Sequence, residues 1–367
     1  MSVRVEGLSK CFAAFRCLED IDFTVNEGEL AVLLGPSGCG KSTLLRCIAG
    51  LETQTSGNIY ISNELVNMKA PRDRNIAMVF QFFAVYPHMT ARENMSIGLR
   101  YTTKMSREEI AGRVNETAAL LGISDLLNRK PHQLSGGQVQ RVAIGRALVR
   151  HPKVFLLDEP LSNIDVKFRR ELMFEIKRLQ KRLNVTTIYV THDQEEAMSI
   201  GDKIIVLRNG KIQQIGTPAA IYIRPKNRFV AGFIGNPPMN FLKVKKKKQN
   251  GRFLLEGESF SYPVTRDLYE KLNAKTQEEG LTLGIRPERI RLLEIARQNS
   301  MAATVTVVEN MGGENHVHVS LGRESIVAKA KPSMSLLPNE RVELLFDEGD
   351  MTFFDPRNEE LIDISSL

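Results

Sequence analysis

Residues 35–43 read GPSGCGKST. Gly35, Gly40, Lys41 and Ser42 meet the spacing G-x-x-x-x-G-K-[ST] in full, between an apolar run, LAVLLG, and a helix-like segment, TLLRCIAGL. Such a loop holds phosphate. Its glycines let the backbone N–H groups of Pro36's neighbours Ser37, Gly38 and Cys39 curl around phosphate oxygens, and Thr43 closes the turn into the helix. Lys41 would neutralise the β- and γ-phosphates, and the Ser42 hydroxyl would reach Mg²⁺. The implied ligand is a nucleoside triphosphate, ATP by default, with its metal.

Two further groups suit the same ligand. The run VFLLDEP ends in adjacent carboxylates: Asp158 fits a direct or indirect Mg²⁺ partner, and Glu159 fits a base that polarises the attacking water. His192 closes the run TIYVTH, where an imidazole could sense the γ-phosphate. A second anion grip lies far downstream. LSGGQ, with Ser135, Gly136, Gly137 and Gln138, opens a helix whose N-terminus should attract an anion. It has no lysine and no metal ligand, so it is incomplete. It makes sense if it closes over a nucleotide held by another chain, as a two-fold dimer allows.

The elements that must position these groups are legible up to about residue 235. Short apolar runs at 30–35, 153–159, 186–192 and 203–212 suit strands buried on both faces. Helical patterns separate them: Ser106 and Glu109 form a capping box before Ile110, Val114, Ala118 and Leu121, and 169–183 is a second helix. The alternation implies an α/β domain with a largely parallel sheet. Gly235-Asn236-Pro237-Pro238 breaks regular structure and sets a boundary between domains 1–235 and 236–367. Beyond it, period-two runs such as TVTVVEN and HVHVSLG imply a small β-barrel domain or a pair of them, with His316 and His318 as ordinary surface residues.

Composition bounds the function. The 367 residues are 42% hydrophobic and 25% charged, as in a globular protein. No apolar run spans a bilayer, no secretory signal opens the chain, and Cys11, Cys17, Cys39 and Cys47 read as reduced thiols of a cytosolic protein. Cys39 sits at a helix N-terminus, where the dipole favours thiolate. The net charge is +7. The run KVKKKKQNGR reads as an exposed strand edge with an Asn250-Gly251 turn, not a nucleic-acid site, because the C-terminal aromatics do not interleave with basic residues.

In this order GPSGCGKST, LSGGQ, VFLLDEP, LSNID and THD resemble the ATPase subunit of ABC transporters. LGPSGCGKSTLLRCIAGLE, RNIAMVFQFFAVYPHMTARENM, GFIGNPPMNF and LGIRPERI are similar to the ATPase of bacterial maltose-type sugar importers, over the whole chain. The resemblance implies a P-loop ABC ATPase domain, with a RecA-like core and a helical subdomain at about 88–150, followed by an all-β OB-like regulatory domain. It implies that Phe12 stacks on adenine and that Gln81 senses Mg²⁺ and the attacking water. It implies that residues 82–90 receive a permease, and that Ser162 and Asp165 cross a dimer interface. The partners it implies are a second copy, two transmembrane permease subunits and, indirectly, an extracytoplasmic solute-binding protein, with no nucleic acid, at the cytoplasmic face of the membrane. A sugar is the implied solute; polyamine, sulfate, iron or phosphonate importers and a nucleic-acid-associated ABC ATPase are the alternatives. Val139 after the signature, Ile164 in the crossing loop and the stretch QFFAVYPH depart from the common pattern, and none removes a catalytic group.

Overall fold

The computed structural model describes residues 2–80, 85–162, 164, 166–297 and 299–364, the side chains of 102, 166 and 167 aside. The chain divides into two units, Met1–Ala219 and Ala220–Leu367. In the first unit the strands are Val3–Phe12 (β1), Phe15–Val25 (β2), Leu30–Leu34 (β3), Ser56–Ile61 (β4), Glu64–Leu65 (β5), Ile76–Val79 (β6), Val154–Asp158 (β7), Thr186–Thr191 (β8), Lys203–Arg208 (β9) and Lys211–Gly216 (β10). The helices are Lys41–Ala49 (α1), Ala91–Thr102 (α2), Arg107–Leu120 (α3), Gly136–Leu148 (α4), Val166–Leu183 (α5) and Gln194–Ile200 (α6).

The apolar runs build a sheet of order β10-β9-β3-β8-β7-β6. It is parallel from β9 to β6, and β10 adds an antiparallel edge. Every residue of β3, β7 and β8 is buried, which is why these strands carry no polar alternation. Because β7, β8 and β3 are parallel neighbours, the segments that leave their C-terminal ends converge: the 35–43 loop, the Asp158-Glu159 pair and His192. That edge is where open α/β sheets bind ligands.

A second sheet, β2-β1-β4-β5, is antiparallel and was not anticipated. Register shifts in β1 after Val5, Leu8 and Lys10 interrupt the period-two pattern that would have announced it. Its core-facing residues, among them Val3, Val5, Leu18 and Ile21, join one apolar cluster with Leu33, Leu44, Ile48, Leu156 and Ile188. Three helices, α2, α3 and α4, open on capping boxes: Thr90 with Glu93, Ser106 with Glu109 as expected, and Ser135 with Gln138.

The second unit holds two five-stranded antiparallel sheets around a common apolar cluster that includes Leu242, Leu283, Val317, Val319 and Phe353. This unit begins at Ala220. The buried Arg286 guanidinium donates to the carbonyls of Tyr222, Ala231 and Ile234, so the segment before the Gly-Asn-Pro-Pro break is tied into the second unit. Two expectations need correction. The lysine run lies on Asn240–Gln249, the middle strand in its sheet's order: residues 240–245 pair with Gly280–Ile285 and 245–249 with Arg252–Glu256, so the two neighbours overlap at Lys245, and Lys247 and Lys248 are laddered on one side. The Asn250-Gly251 turn does form, with both residues at positive φ. His316 is buried, not a surface residue: its ring meets Glu314 at 3.0 Å and Glu309 at 3.9 Å, and cross-strand neighbours close over it.

Candidate active site

The 35–43 loop takes its shape from two glycines. A Cβ on Gly35 would stand 2.3 Å from the Leu207 carbonyl oxygen, so β3 packs against β9 only with glycine there. Gly40, the N-cap of α1, has φ 105 and offers no side-chain cap. The first N–H groups of this nine-residue helix are therefore left for a ligand, a ready anion site. Lys41 is 4% exposed, and its ammonium is held at the centre of the loop by the carbonyls of Gly35 (2.8 Å) and Pro36 (2.9 Å). Ser37 and Gly38 form the exposed rim, and Ser42 and Thr43 are half-buried. Burial raises the Cys39 thiol above its ordinary value, despite Lys41 beside it. This direction runs against the expected thiolate, and removal from water is its largest cause.

The carboxylates after β7 have separate surroundings. Asp158 is 5% exposed and accepts from the Ser42 hydroxyl at 2.8 Å. Burial, more than any neighbour, holds its pKa above the usual carboxylate range. Glu159 has φ 45, strained for a residue with a side chain; its N–H donates to the Val190 carbonyl, and its own carbonyl accepts from Ser162. These bonds aim its carboxylate at the next strand's end, where Oε2 lies 3.2 Å from Nδ1 of His192. Ser42 with Asp158, and Glu159 with His192, are thus brought together from three segments. A hydroxyl and one carboxylate are hard oxygen donors of the kind Mg²⁺ takes alongside phosphate oxygens.

Phe12 ends β1 opposite Phe15 and is 43% exposed, with the Lys10 ammonium 4.6 Å over its ring. The other strand of that hairpin touches the loop, since the Cys17 thiol donates to the Thr43 hydroxyl at 3.4 Å. Ser135–Gln138 stand apart from it. Ser135 Oγ accepts from the Gln138 N–H at 3.4 Å and Gln138 Oε1 from the Ser135 N–H at 3.0 Å, so this helix start is capped by its own side chains. With Ile164, Phe168 and Leu172 these residues line a cavity of about 400 Å³, to which no residue of the 35–43 loop contributes among the described residues. Gln81 and Asp165, and residues 82–84 of the 82–90 segment, lie outside the described residues. Of the remainder, Tyr86 joins Leu51, Met78, Phe80, Ile97 and Arg146 around a groove of about 480 Å³.

Sequence reasoning missed that groove, because its lining comes from distant segments. It also missed Gln140, fully buried, whose Nε2 donates to the Pro160 carbonyl at 3.2 Å and links α4 to the turn after Glu159. Among the described residues no helix is long and apolar enough to cross a membrane.

A phosphate loop, a strand-end carboxylate pair and a strand-end histidine on one parallel sheet define a P-loop nucleoside-triphosphatase. Comparison with known proteins narrows this. The profile of the ABC transporter family matches residues 18–162, that of the MalK OB fold domain 235–290, and that of the TOBE domain 283–354. The chain is 45% identical over 363 residues to the sulfoquinovosyl glycerol transport ATP-binding protein SmoE of Agrobacterium fabrum, covering 98% of this chain and 99% of the relative. It is 45% identical over 365 residues to the trehalose/maltose import ATP-binding protein MalK of Thermococcus litoralis, covering 96% and 97%. Among solved structures, the dimeric post-hydrolysis state of the ATP-binding cassette MJ0796, bound to ADP and Pi, matches with TM-score 0.53 at 34% identity, over 59% of this chain and 98% of that one. The chain belongs to the ABC transporter family, as an ATPase subunit whose hydrolysis of ATP is coupled to transport.

Proposed function

We propose that this subunit powers import of a sugar or oligosaccharide, working as a homodimer against two membrane permease subunits at the cytoplasmic face of the membrane, with an extracytoplasmic protein delivering the solute. The solute class rests on the relatives, whose names specify sulfoquinovosyl glycerol, trehalose and maltose, and, for the XacK protein of Haloferax volcanii, xylose and arabinose. The groove beside Tyr86 supports the permease seat in the 82–90 region: it is concave, largely apolar and next to the phosphate loop's own helix through Ala49 and Leu51.

The single observation that carries the chemistry is the 3.2 Å approach of His192 to Glu159, beside the Ser42–Asp158 pair. Lys41 and the free N–H groups at the start of α1 bind the triphosphate. Ser42 and Asp158, with Gln81, would hold Mg²⁺, which when bound neutralises phosphate charge. Glu159 orients water and takes its proton as the oxygen attacks the γ-phosphorus, while His192 fixes the carboxylate and senses the γ-phosphate. Phe12 supplies an adenine platform. The self-capped Ser135–Gln138 start, set apart from the loop, supports the reading that it covers the partner's nucleotide, a role the resemblance shares with Asp165. Glu159→Gln keeps the side-chain shape but not the base; steady-state hydrolysis should fall by roughly 10²–10⁴-fold while ATP binding persists. Hydrolysis near the wild-type rate would sink the assignment. ATPase stimulation in a reconstituted complex by a sugar-loaded, but not a polyamine-loaded, solute-binding protein tests the solute class; the reverse pattern would reject it.

A further inference from the structure

Glu159 and His192 each lead into a turn, and one side chain spans the two turns. After Glu159, its carbonyl accepts from the Ser162 N–H (3.2 Å) and hydroxyl (3.0 Å), and the Ile164 N–H donates to the Leu161 carbonyl (3.1 Å). After His192, Asp193 caps α6: its Oδ1 accepts from the N–H groups of Glu195 (2.7 Å) and Glu196 (3.2 Å), and its own N–H donates to the Thr191 hydroxyl (2.9 Å). Arg169, in the first turn of α5, stands between them. Its Nη2 donates to the Ile164 carbonyl at 3.3 Å, and its Nη1 lies 3.7 Å from Asp193 Oδ2. Contacts, with the covalent steps Leu161-Ser162 and His192-Asp193, therefore close a ring: Glu159, Ser162, Leu161, Ile164, Arg169, Asp193, His192 and back to Glu159.

The setting argues that this guanidinium is more than a surface ion pair. Its Nε is buried with no hydrogen-bond partner, an unmet donor beside the two arms that make contact. Tyr189 and Glu196 are buried close by, the phenol donating to the carboxylate at 2.9 Å, and Arg169 is the cation whose charge reaches both. One arm of the guanidinium donates to a backbone carbonyl and the other lies within ion-pair range of a carboxylate, so its planar fork reaches two segments at once, as a single ammonium cannot.

We propose that Arg169 is a positioning residue, paired with Asp193, that locks the turn bearing Ser162 and Ile164 to the turn bearing His192. Closure of the dimer on the first turn is thereby transmitted to the distance between His192 and Glu159. This rests on the reading of Glu159 as the base and of 162–165 as an interface loop. The test uses full-length Arg169→Gln, Asp193→Asn and the double variant. Asn remains a good N-cap, so α6 keeps its start. Each single variant should lower kcat by roughly 10- to 100-fold through misplaced chemistry, with the KM for ATP and the melting temperature near wild type and the Hill coefficient for ATP falling towards one. The double variant should be no worse than either single, since both break one linkage. A wild-type kcat and Hill coefficient in either single variant, or additive losses in the double, would overturn the proposal. So would a kcat loss that tracks a lost melting temperature. If Arg169→Gln does not fold, Asp193→Asn decides alone by the same criteria. Glu159→Gln run alongside separates the two failures: an active Glu159→Gln removes the underlying reading, whereas an inactive Glu159→Gln with normal Arg169 and Asp193 variants removes only this inference.

Discussion

At the scale of single residues, the site is an economy of buried charge. Asp158 sits at the foot of the phosphate loop with its pKa raised by burial. A carboxyl whose folded pKa lies above its unfolded one holds its proton more tightly when folded. That stabilisation is complete below the unfolded value and is lost as pH rises through the folded one, so at neutral pH the ionised group is a burden. Asp158→Asn should therefore raise the melting temperature of the nucleotide-free chain at neutral pH, flatten its dependence on acid, and abolish hydrolysis; the Asn oxygen still accepts from Ser42. A lower melting temperature at neutral pH would contradict this. Such residues were legible where a motif names them: Lys41, Ser42, Asp158 and Glu159 lie within a few residues of a strand end. Arg169, Asp193 and Gln140 were not, because their meaning comes from the partners that folding brings to them. The burial of Cys39 was not foreseen because its position at a helix start is visible in sequence while its 5% exposure is not.

At the scale of elements, the two anion grips differ in who caps them. α1 starts on Gly40 with no side-chain cap, whereas α4 starts on a Ser135–Gln138 box. Gly40→Ala would place a Cβ 2.7 Å from Leu18 and 3.0 Å from the Cys17 carbonyl oxygen at φ 105. Strain of about 1–3 kcal/mol should weaken ATP binding by roughly tenfold or more, measured by titration with a fluorescent ATP analogue. Unchanged affinity would mean that the loop tolerates reshaping. The parallel strands were readable because burial on both faces writes itself as unbroken apolar runs. The β2-β1-β4-β5 sheet was not, because bulges in β1 break the alternation. The lysine run was placed on an edge because charge usually marks edges; here lysines on Asn240–Gln249 lie on a central strand, and Lys247 finds Glu256 across the ladder at 2.7 Å.

At the scale of the whole molecule, the central claim is that each nucleotide is held by one chain's loop and covered by its partner's Ser135–Gln138. Mixed dimers decide it. In the first, one chain carries Lys41→Ala and its partner carries Ser135→Arg. If the grip acts between chains, both lesions fall on one composite site and the other is whole. In the second, one chain carries both lesions beside a wild-type partner, and each site then receives one lesion. The measurement is nucleotide occupancy per dimer at limiting Mg²⁺-ATP, which is independent of whether hydrolysis needs both sites. The account predicts one well-occupied site in the first dimer and weaker occupancy throughout in the second. The opposite ranking, with the doubly altered chain's partner binding ATP normally, would place loop and signature of one chain on the same nucleotide and contradict it.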